Sequence, residues 1–170
     1  MEYLIVGLGN PGLEYKDSRH NIGFMCVDFL VENIKLDSKD FTFNKAFNSN
    51  ILKYNNILFL KPDTFMNNSG YAVSRAVNYY KFDKIYIVYD DLDLNLGDFK
   101  IGDKYPKTHN GVMSIKEQVN NSFISIRIGI DNNRNINIPG IDYVLGKISR
   151  EEKLILNGVF SNILTELKFL

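Results

Sequence analysis

The segment that most constrains the fold is residues 7–21, where three glycines, a proline and a histidine follow a short apolar run. That run, residues 3–6, is typical of a buried strand. The glycines let the backbone turn tightly and admit another group close to it, and Asn10 and Pro11 favour a turn. Apolar residues at helical spacing follow the segment. We therefore predict a strand, a glycine loop and then His20 at the mouth of a helix, with the rest of the chain surrounding this histidine.

The same glycines, Gly7, Gly9 and Gly12, spell the G-x-G-x-x-G pattern of dinucleotide-binding folds. In those folds the helix starts inside the glycine loop and faces the pyrophosphate. Here the helical pattern starts only at about Ser18, and Asp28, the candidate ribose ligand, falls inside that helix. The spacing therefore argues against a dinucleotide site.

A chain of 170 residues is expected to form one domain, residues 1–170, with a sizeable core. Its formal net charge is zero, so any nucleic acid must bind to a local basic patch. The single cysteine, Cys26, lies on the apolar face of the first helix, which indicates core packing and a reducing compartment. No signal peptide and no membrane-spanning segment are predicted. These features favour a cytoplasmic protein.

Strands alternate with helices along the chain. Predicted strands cover residues 3–6, 46–54, 56–61, 84–90, 98–102 and 124–130, and predicted helices cover about 18–30, 68–81, 109–119 and 149–169. Residues 35–45 and 132–137 are predicted loops. The alternation predicts an α/β domain with a mainly parallel sheet.

Local patterns add detail to this prediction. Asn55 and Asn56 tolerate the left-handed turn of a tight hairpin. Residues 124–130 alternate apolar and polar side chains, as a half-buried strand does. Ser149, with Glu152 three residues later, is the signature of a helix cap.

Ligands of parallel sheets bind at the carboxyl ends of the strands, where Asn10, Phe65, Asn67 and Asp90 are expected. A histidine with a carboxylate partner is held in one tautomer and becomes a better base. No serine or cysteine elbow occurs in the sequence, so the natural task of His20 is to deprotonate water. Asparagine amides can orient a carbonyl and donate hydrogen bonds to an oxyanion. The residues point to hydrolysis of an ester or amide by activated water.

Other interpretations of these residues stay open on pattern alone. Asp90, Asp91 and Asp93 could bind magnesium, although no phosphate-cradling lysine motif accompanies them. Two histidines and one cysteine are fewer than the four ligands of a structural zinc site. A loop histidine can be a plain surface residue, a strand-end aspartate can be a helix cap, and the aromatic side chains can simply pack. Pattern alone indicates an α/β hydrolase of unknown substrate.

A series of ordered motifs resembles those of bacterial peptidyl-tRNA hydrolases across nearly the whole chain. They are G-L-G-N-P-G-x-x-Y-x-x-x-R-H-N-x-G at 7–23, K-P-x-T-x-M-N-x-S-G at 61–70, D-D-L-D-L at 90–94, H-N-G at 109–111, R-I-G-I at 127–130 and V-L-G-K at 144–147. The resemblance implies a monomeric α/β protein with a twisted, mostly parallel mixed sheet flanked by helices. It implies cleavage of the ester that joins a peptide to the 3′ end of tRNA, which recycles the tRNA. The implied partner is peptidyl-tRNA, and no metal or cofactor is implied.

By the same resemblance, His20 is the general base and Asp90 is its partner. Asn10 would read the peptide backbone and separate peptidyl from free aminoacyl ends. Four further residues would bind the substrate. Asn67 and Asn110 would position the ester carbonyl and the attacking water. Tyr15 and Phe65 would contact the terminal tRNA nucleotide. A non-catalytic RNA-binding relative of the same fold is the alternative, and it predicts erosion at the histidine, aspartate or asparagine positions, all of which are intact.

The chain departs from the family pattern before its H-N-G motif. Members usually carry a glycine-rich run there, and residues 102–108 of this chain are bulkier. Many members also continue into a basic tail. We predict that the tRNA binds to a basic patch in and beside this loop. The patch consists of Lys100, Lys104 and Lys107, joined by Arg127 across the sheet.

Overall fold

A computed structural model describes residues 1–34, 40–132 and 137–170. Its strands are β1 (Tyr3–Gly7), β2 (Thr42–Asn44), β3 (Ser49–Tyr54), β4 (Ile57–Pro62), β5 (Lys84–Asn95), β6 (Phe99–Gly102) and β7 (Ile124–Asp131). Its α-helices are α1 (Ile22–Asn33), α2 (Ser69–Tyr79), α3 (Asn110–Gln118), α4 (Gly140–Leu145) and α5 (Arg150–Glu166). Two one-turn 3₁₀ helices, Arg19–Asn21 and Met66–Asn68, precede α1 and α2.

The strands form one seven-stranded sheet in the order β2-β3-β4-β1-β5-β7-β6. At its centre, β4, β1, β5 and β7 are all parallel. β3 and β6 run in the opposite direction to their neighbours, and β2, antiparallel to β3, shares the direction of the central strands. The prediction of an α/β fold with a mostly parallel mixed sheet is confirmed.

Helices cover both faces of the sheet. Leu4 and Val6 of β1 pack with residues of α2 and α3, whereas Ile5 packs with residues of α1 and α5. This division follows from the two-residue period of a strand, which sends alternate side chains to opposite faces. Cys26 is fully buried in the cluster that contains Ile5, as the sequence predicted.

Several boundaries differ from the prediction. Within the predicted loop 35–45, residues 42–44 form the edge strand β2, which is too short for a periodic signal. β5 continues beyond Asp90 to Asn95 through a register shift. Residues 35–39 and 133–136, in the two predicted loops, lie outside the described part of the chain.

The prediction that residues 124–130 are half-buried is wrong. Five of the eight residues of β7 are buried, including Ser125 and Gly129 at positions predicted to face solvent. Ser125 is fully buried, and its hydroxyl accepts a hydrogen bond from Tyr89 Oη at 2.9 Å. A polar residue in a strand sequence indicates a solvent-facing position only when the fold offers its side chain no buried hydrogen-bond partner.

The predictions of a hairpin turn and of a helix cap are confirmed. Asn55 has a φ of 50°, as the predicted hairpin turn requires. Ser149 and Glu152 form both bonds of a capping box at the start of α5. That helix ends at Glu166 and not at residue 169, and the six-residue α4 before it was not predicted. None of the described helices has the length and apolar character needed to span a bilayer.

A close approach of α1 to the sheet places the residues that precede it. A Cβ atom on Gly23 would lie 2.3 Å from the carbonyl oxygen of Val88 and 2.4 Å from the amide nitrogen of Leu8. Only glycine lets the first turn of α1 sit this near to β5 and to the end of β1. His20 is thereby brought over the carboxylate of Asp90.

Candidate active site

His20 lies in the 3₁₀ turn Arg19–Asn21 and is 6% exposed. Its Nδ1 is 2.9 Å from Oδ1 and 3.0 Å from Oδ2 of Asp90. A carboxylate can only accept here, so Nδ1 carries the proton and Nε2 holds a lone pair. Nε2 makes no hydrogen bond to a described residue, and this atom is not fully buried. The imidazole is therefore arranged as a base that a water molecule can reach.

A second histidine, His109, binds the same carboxylate. Its Nε2 is 3.0 Å from Asp90 Oδ1, while its Nδ1 accepts the backbone N–H of Val112 at 3.3 Å. His109 therefore carries its proton on Nε2 and donates it to Asp90. Burial acts to raise the pKa of Asp90, but the electrostatic attraction and the N–H hydrogen bonds of His109 and His20 outweigh it and hold this pKa below its usual value. Asp90 is thus an ionised, doubly hydrogen-bonded carboxylate.

The sequence did not single out His109 as a site residue. The available signal was its place in the H-N-G motif, directly before Asn110 at the start of α3. It caps α3, and the capping contact is what fixes its tautomer.

Asn10 is held by three hydrogen bonds. Its backbone N–H donates to Asn21 Oδ1 at 2.9 Å, and Asn21 Nδ2 donates to the Asn10 carbonyl at 2.9 Å. Asn10 Oδ1 accepts the backbone N–H of Met66 at 2.8 Å. The Asn10 side chain therefore turns its Nδ2 donor away from these contacts. Asn21, whose supporting role the sequence did not predict, stands beside His20 in the R-H-N motif.

Of the remaining predicted residues, the structure brings one into the cavity of His20 and places the others elsewhere. Asn110 lines a cavity of about 210 Å³ together with His20 and Asp90. Asn10 lines a larger neighbouring cleft of about 630 Å³. Asn67 is exposed and directly follows Met66, the residue bound to Asn10.

Tyr15 and Phe65 meet edge to face, with ring centroids 6.3 Å apart. Phe65 is 58% exposed, so its ring is open to a partner. The aromatic pair is therefore formed in the folded chain and does not belong to the core. It can offer ring surface to a base or a ribose.

In the acidic cluster that could bind magnesium, residues 90, 91 and 93, two of the three carboxylates have hydrogen-bond partners within the protein. Asp91 Oδ2 lies 2.5 Å from Arg127 Nε, and Asp91 Oδ1 accepts the backbone N–H of Asp93. Metal-ligand spacing occurs instead for His20, Asp90 and His109, whose ligand atoms lie within 4.8 Å of one another. The N···O separations of 2.9 and 3.0 Å in this group are those of hydrogen bonds.

The loop that carries two lysines of the predicted basic patch also borders this cavity. Lys100 of β6 is the register partner of Arg127 on β7. Lys104 and Lys107 are exposed in the loop that follows β6. Two other residues of that loop, Pro106 and Thr108, line the cavity that holds His20.

Comparisons with known proteins show the family to which the chain belongs. The sequence model of the peptidyl-tRNA hydrolase family matches residues 4–170. The chain is 40% identical over 158 residues to a Campylobacter lari peptidyl-tRNA hydrolase, covering 92% of this chain and 84% of that one. It is 40% identical over 168 residues to a Helicobacter pylori peptidyl-tRNA hydrolase, covering 98% and 86%. The crystal structure of peptidyl-tRNA hydrolase from Acinetobacter baumannii superposes with a TM-score of 0.83 at 29% identity, covering 100% of this chain and 88% of that one. The chain belongs to the peptidyl-tRNA hydrolase family.

Proposed function

We propose that this chain hydrolyses the ester bond of peptidyl-tRNA with a water molecule activated by the His20–Asp90 pair. The observation that carries the proposal is the ionised Asp90 on Nδ1 of His20, which leaves Nε2 as an open base. The proposal includes a single domain over residues 1–170 that acts as a monomer in the cytoplasm without a metal or cofactor.

The chemistry follows from the tautomer of His20. Nε2 takes a proton from water as the water oxygen attacks the ester carbonyl, which gives a tetrahedral oxyanion and an imidazolium. Asp90 keeps its hydrogen bond to Nδ1 and stabilises the positive charge. When the intermediate collapses, the C–O bond to the ribose breaks and the imidazolium returns its proton to the departing 3′ oxygen. Free peptide, free tRNA and neutral His20 result.

The surrounding amides would place the substrate. The Nδ2 donor of Asn10 would bind a peptide carbonyl, which a free aminoacyl end does not supply. Asn110, on the cavity wall beside His20, would orient the water or the ester carbonyl, and Asn67 would share that task. Tyr15 and Phe65 would contact the terminal nucleotide through their rings.

A single-turnover assay tests this function. Purified protein is mixed with a limiting amount of N-acetylated aminoacyl-tRNA, and release of the acyl group is followed. Fast release from this substrate, with little release from the unacetylated aminoacyl-tRNA, is the expected result. Binding of the tRNA without release would favour the alternative, a non-catalytic RNA-binding relative.

Replacing Lys100, Lys104 and Lys107 together by alanine is expected to weaken tRNA binding and flatten its salt dependence. Each phosphate contact that is lost should lower the slope of log K against log salt by about one unit. The measurement is KM at several salt concentrations, with kcat as a check on the chemistry.

The matched control replaces three exposed lysines near the beginnings of β4 and β5, Lys53, Lys81 and Lys84. Lys84 begins β5, and Lys53 pairs near the beginning of β4, so both lie far along their strands from Asp90. The control should keep the salt slope of the unmodified protein. Equal slopes in both triple variants would place the tRNA-binding patch elsewhere.

A further inference from the structure

We infer that Arg19 and Glu152 are positioning residues that hold His20 at Asp90 and fix its place relative to α4. The inference rests on the proposed hydrolysis, because it concerns the base of that reaction. Neither residue contacts Asp90, so each would act through the turn that carries His20.

The turn that carries His20 has little support of its own. It is a three-residue 3₁₀ helix, and the side chain of Ser18, which precedes it, makes no capping hydrogen bond. A single helical turn is not stable by itself. The Asn21 side chain at its other end is bound to Asn10. The position of the turn must therefore be set by contacts with other parts of the chain.

Backbone contacts tie this turn to the segment between α4 and α5. The N–H of Arg19 donates to the carbonyl of Gly146 at 3.0 Å. The N–H of Ile148 donates to the carbonyl of Asp17 at 2.9 Å. The residue before His20 is thereby fixed to the chain that leads into α5.

The Arg19 side chain adds a partly buried ion pair to these contacts. Its Nη2 lies 2.8 Å from Oε1 and 3.0 Å from Oε2 of Glu152, which is only 5% exposed. Glu152 Oε2 also accepts the N–H of Ser149 at 2.7 Å. Burial acts to raise the pKa of Glu152, but the Ser149 N–H and the Arg19 guanidinium outweigh it and hold this pKa below its usual value. Arg19 thus meets an ionised carboxylate that is itself fixed to the first turn of α5.

The guanidinium of Arg19 also packs on α4. Its central carbon lies 4.5 Å from the centroid of the Tyr143 ring, a favourable distance for a cation over an aromatic face. On the same helix, Ile141 and Val144 line the cavity that contains His20. One side chain therefore joins three parts of the molecule: the turn with the base, the cavity wall and the start of α5.

The reaction depends on this arrangement because general-base catalysis needs the base within hydrogen-bond reach of the water. A displacement of about 1 Å in a reacting group can cost about a hundredfold in rate. Loss of Arg19 would leave the buried charge of Glu152 without its partner, and loss of the Glu152 charge would free Arg19 to turn toward solvent, so either change would displace the turn or the helix. The pair is therefore placed to control the rate of the chemical step, with little effect on tRNA binding.

The test uses Arg19→Gln and Glu152→Gln in the full chain. Glutamine at position 152 can still accept the Ser149 N–H and keep the capping box, so this variant removes the charge and leaves α5 capped. For both variants we expect kcat to fall about tenfold to a hundredfold with an unchanged KM. Arg19→Lys retains the charge and should restore part of kcat.

The control is Lys153→Met, which breaks an exposed ion pair with Asp17 in the same region. That pair has an N···O distance of 2.7 Å, and each side chain is 47% exposed. Exposed pairs contribute little, so kcat should match the unmodified protein. A second measurement is the NMR signal of the His20 ring, which should shift in the Arg19 and Glu152 variants and not in the control.

The outcomes separate positioning from simple stabilisation. Arg19 and Glu152 variants that melt at lower temperature, yet keep kcat and the His20 ring signal well below that temperature, would overturn the inference. If Arg19→Gln does not fold, Glu152→Gln decides the question. If the unmodified protein does not cleave peptidyl-tRNA, the proposed function is wrong, and the His20 ring signal still shows whether this pair positions the imidazole.

Discussion

His20→Ala is expected to abolish ester cleavage while the protein stays folded. A positioned base typically contributes about a hundredfold to ten-thousandfold in rate, and no second group in the described cavity offers an open imidazole nitrogen, since His109 uses both of its own. The fold should survive because Asp90 keeps the N–H of His109 as a partner. Single-turnover cleavage of peptidyl-tRNA measures the loss, and circular dichroism and thermal melting check the fold.

Binding provides the control for this variant. The His20→Ala protein should bind uncharged tRNA with the affinity of the unmodified protein, because the lysines of the predicted patch are untouched. A folded variant that retains full turnover would contradict the mechanism, and the base would have to be sought elsewhere.

The sequence predicts those parts of the fold that are set by contacts between near neighbours. The apolar run of β1, the helical spacing of α1 and the capping signature of Ser149 and Glu152 each lie within a few residues, and the structure confirms all three. The short β2 and α4 carry no such signal, because three or six residues cannot establish a period. Their conformation is set by the neighbours they pack against.

The candidate site likewise contains some residues that the sequence predicts and others that only the folded structure reveals. Residue type and motif single out His20 and Asp90, but they are 70 positions apart, and only the resemblance to the family pairs them in advance. That contact is formed because α1 closes onto the sheet at Gly23. His109 escapes prediction because its role depends on a carboxylate and a backbone N–H that it reaches only in the folded chain. Arg19 is hidden for the same reason, since its partner Glu152 is 133 residues away.

The charge of Asp90 explains why so much of the chain converges on it. Two imidazoles, one from the turn before α1 and one from the cap of α3, direct N–H groups at this buried carboxylate. Since they hold the pKa of Asp90 below its usual value in spite of burial, the group stays ionised throughout the pH range of an activity assay. A change in rate with pH near neutrality therefore reports a different group.

Asp90→Asn is expected to lower activity less than His20→Ala does, and to move the rising limb of the pH–rate profile to lower pH. An amide oxygen at the position of Oδ1 can still accept from the imidazoles, so the geometry of the base is largely kept. The negative charge is lost, however, and a neighbouring carboxylate is what favours the protonated form of an imidazole. Without that charge, the imidazolium that forms during the reaction is less well stabilised, and the imidazole is a weaker base. The limb should move to lower pH, and its plateau should be lower.

The matched control is Asp93→Asn, which removes one negative charge from an exposed position on the same strand. It should leave the limb in place, because the charge of an exposed carboxylate is screened by solvent and salt. The measurement is kcat/KM for peptidyl-tRNA across the pH range in which all three proteins keep their fold. A limb that stays in place in Asp90→Asn would mean that this carboxylate does not control the protonation of His20. An equal shift in both variants would assign the effect to net charge and not to the contact between Asp90 and His20.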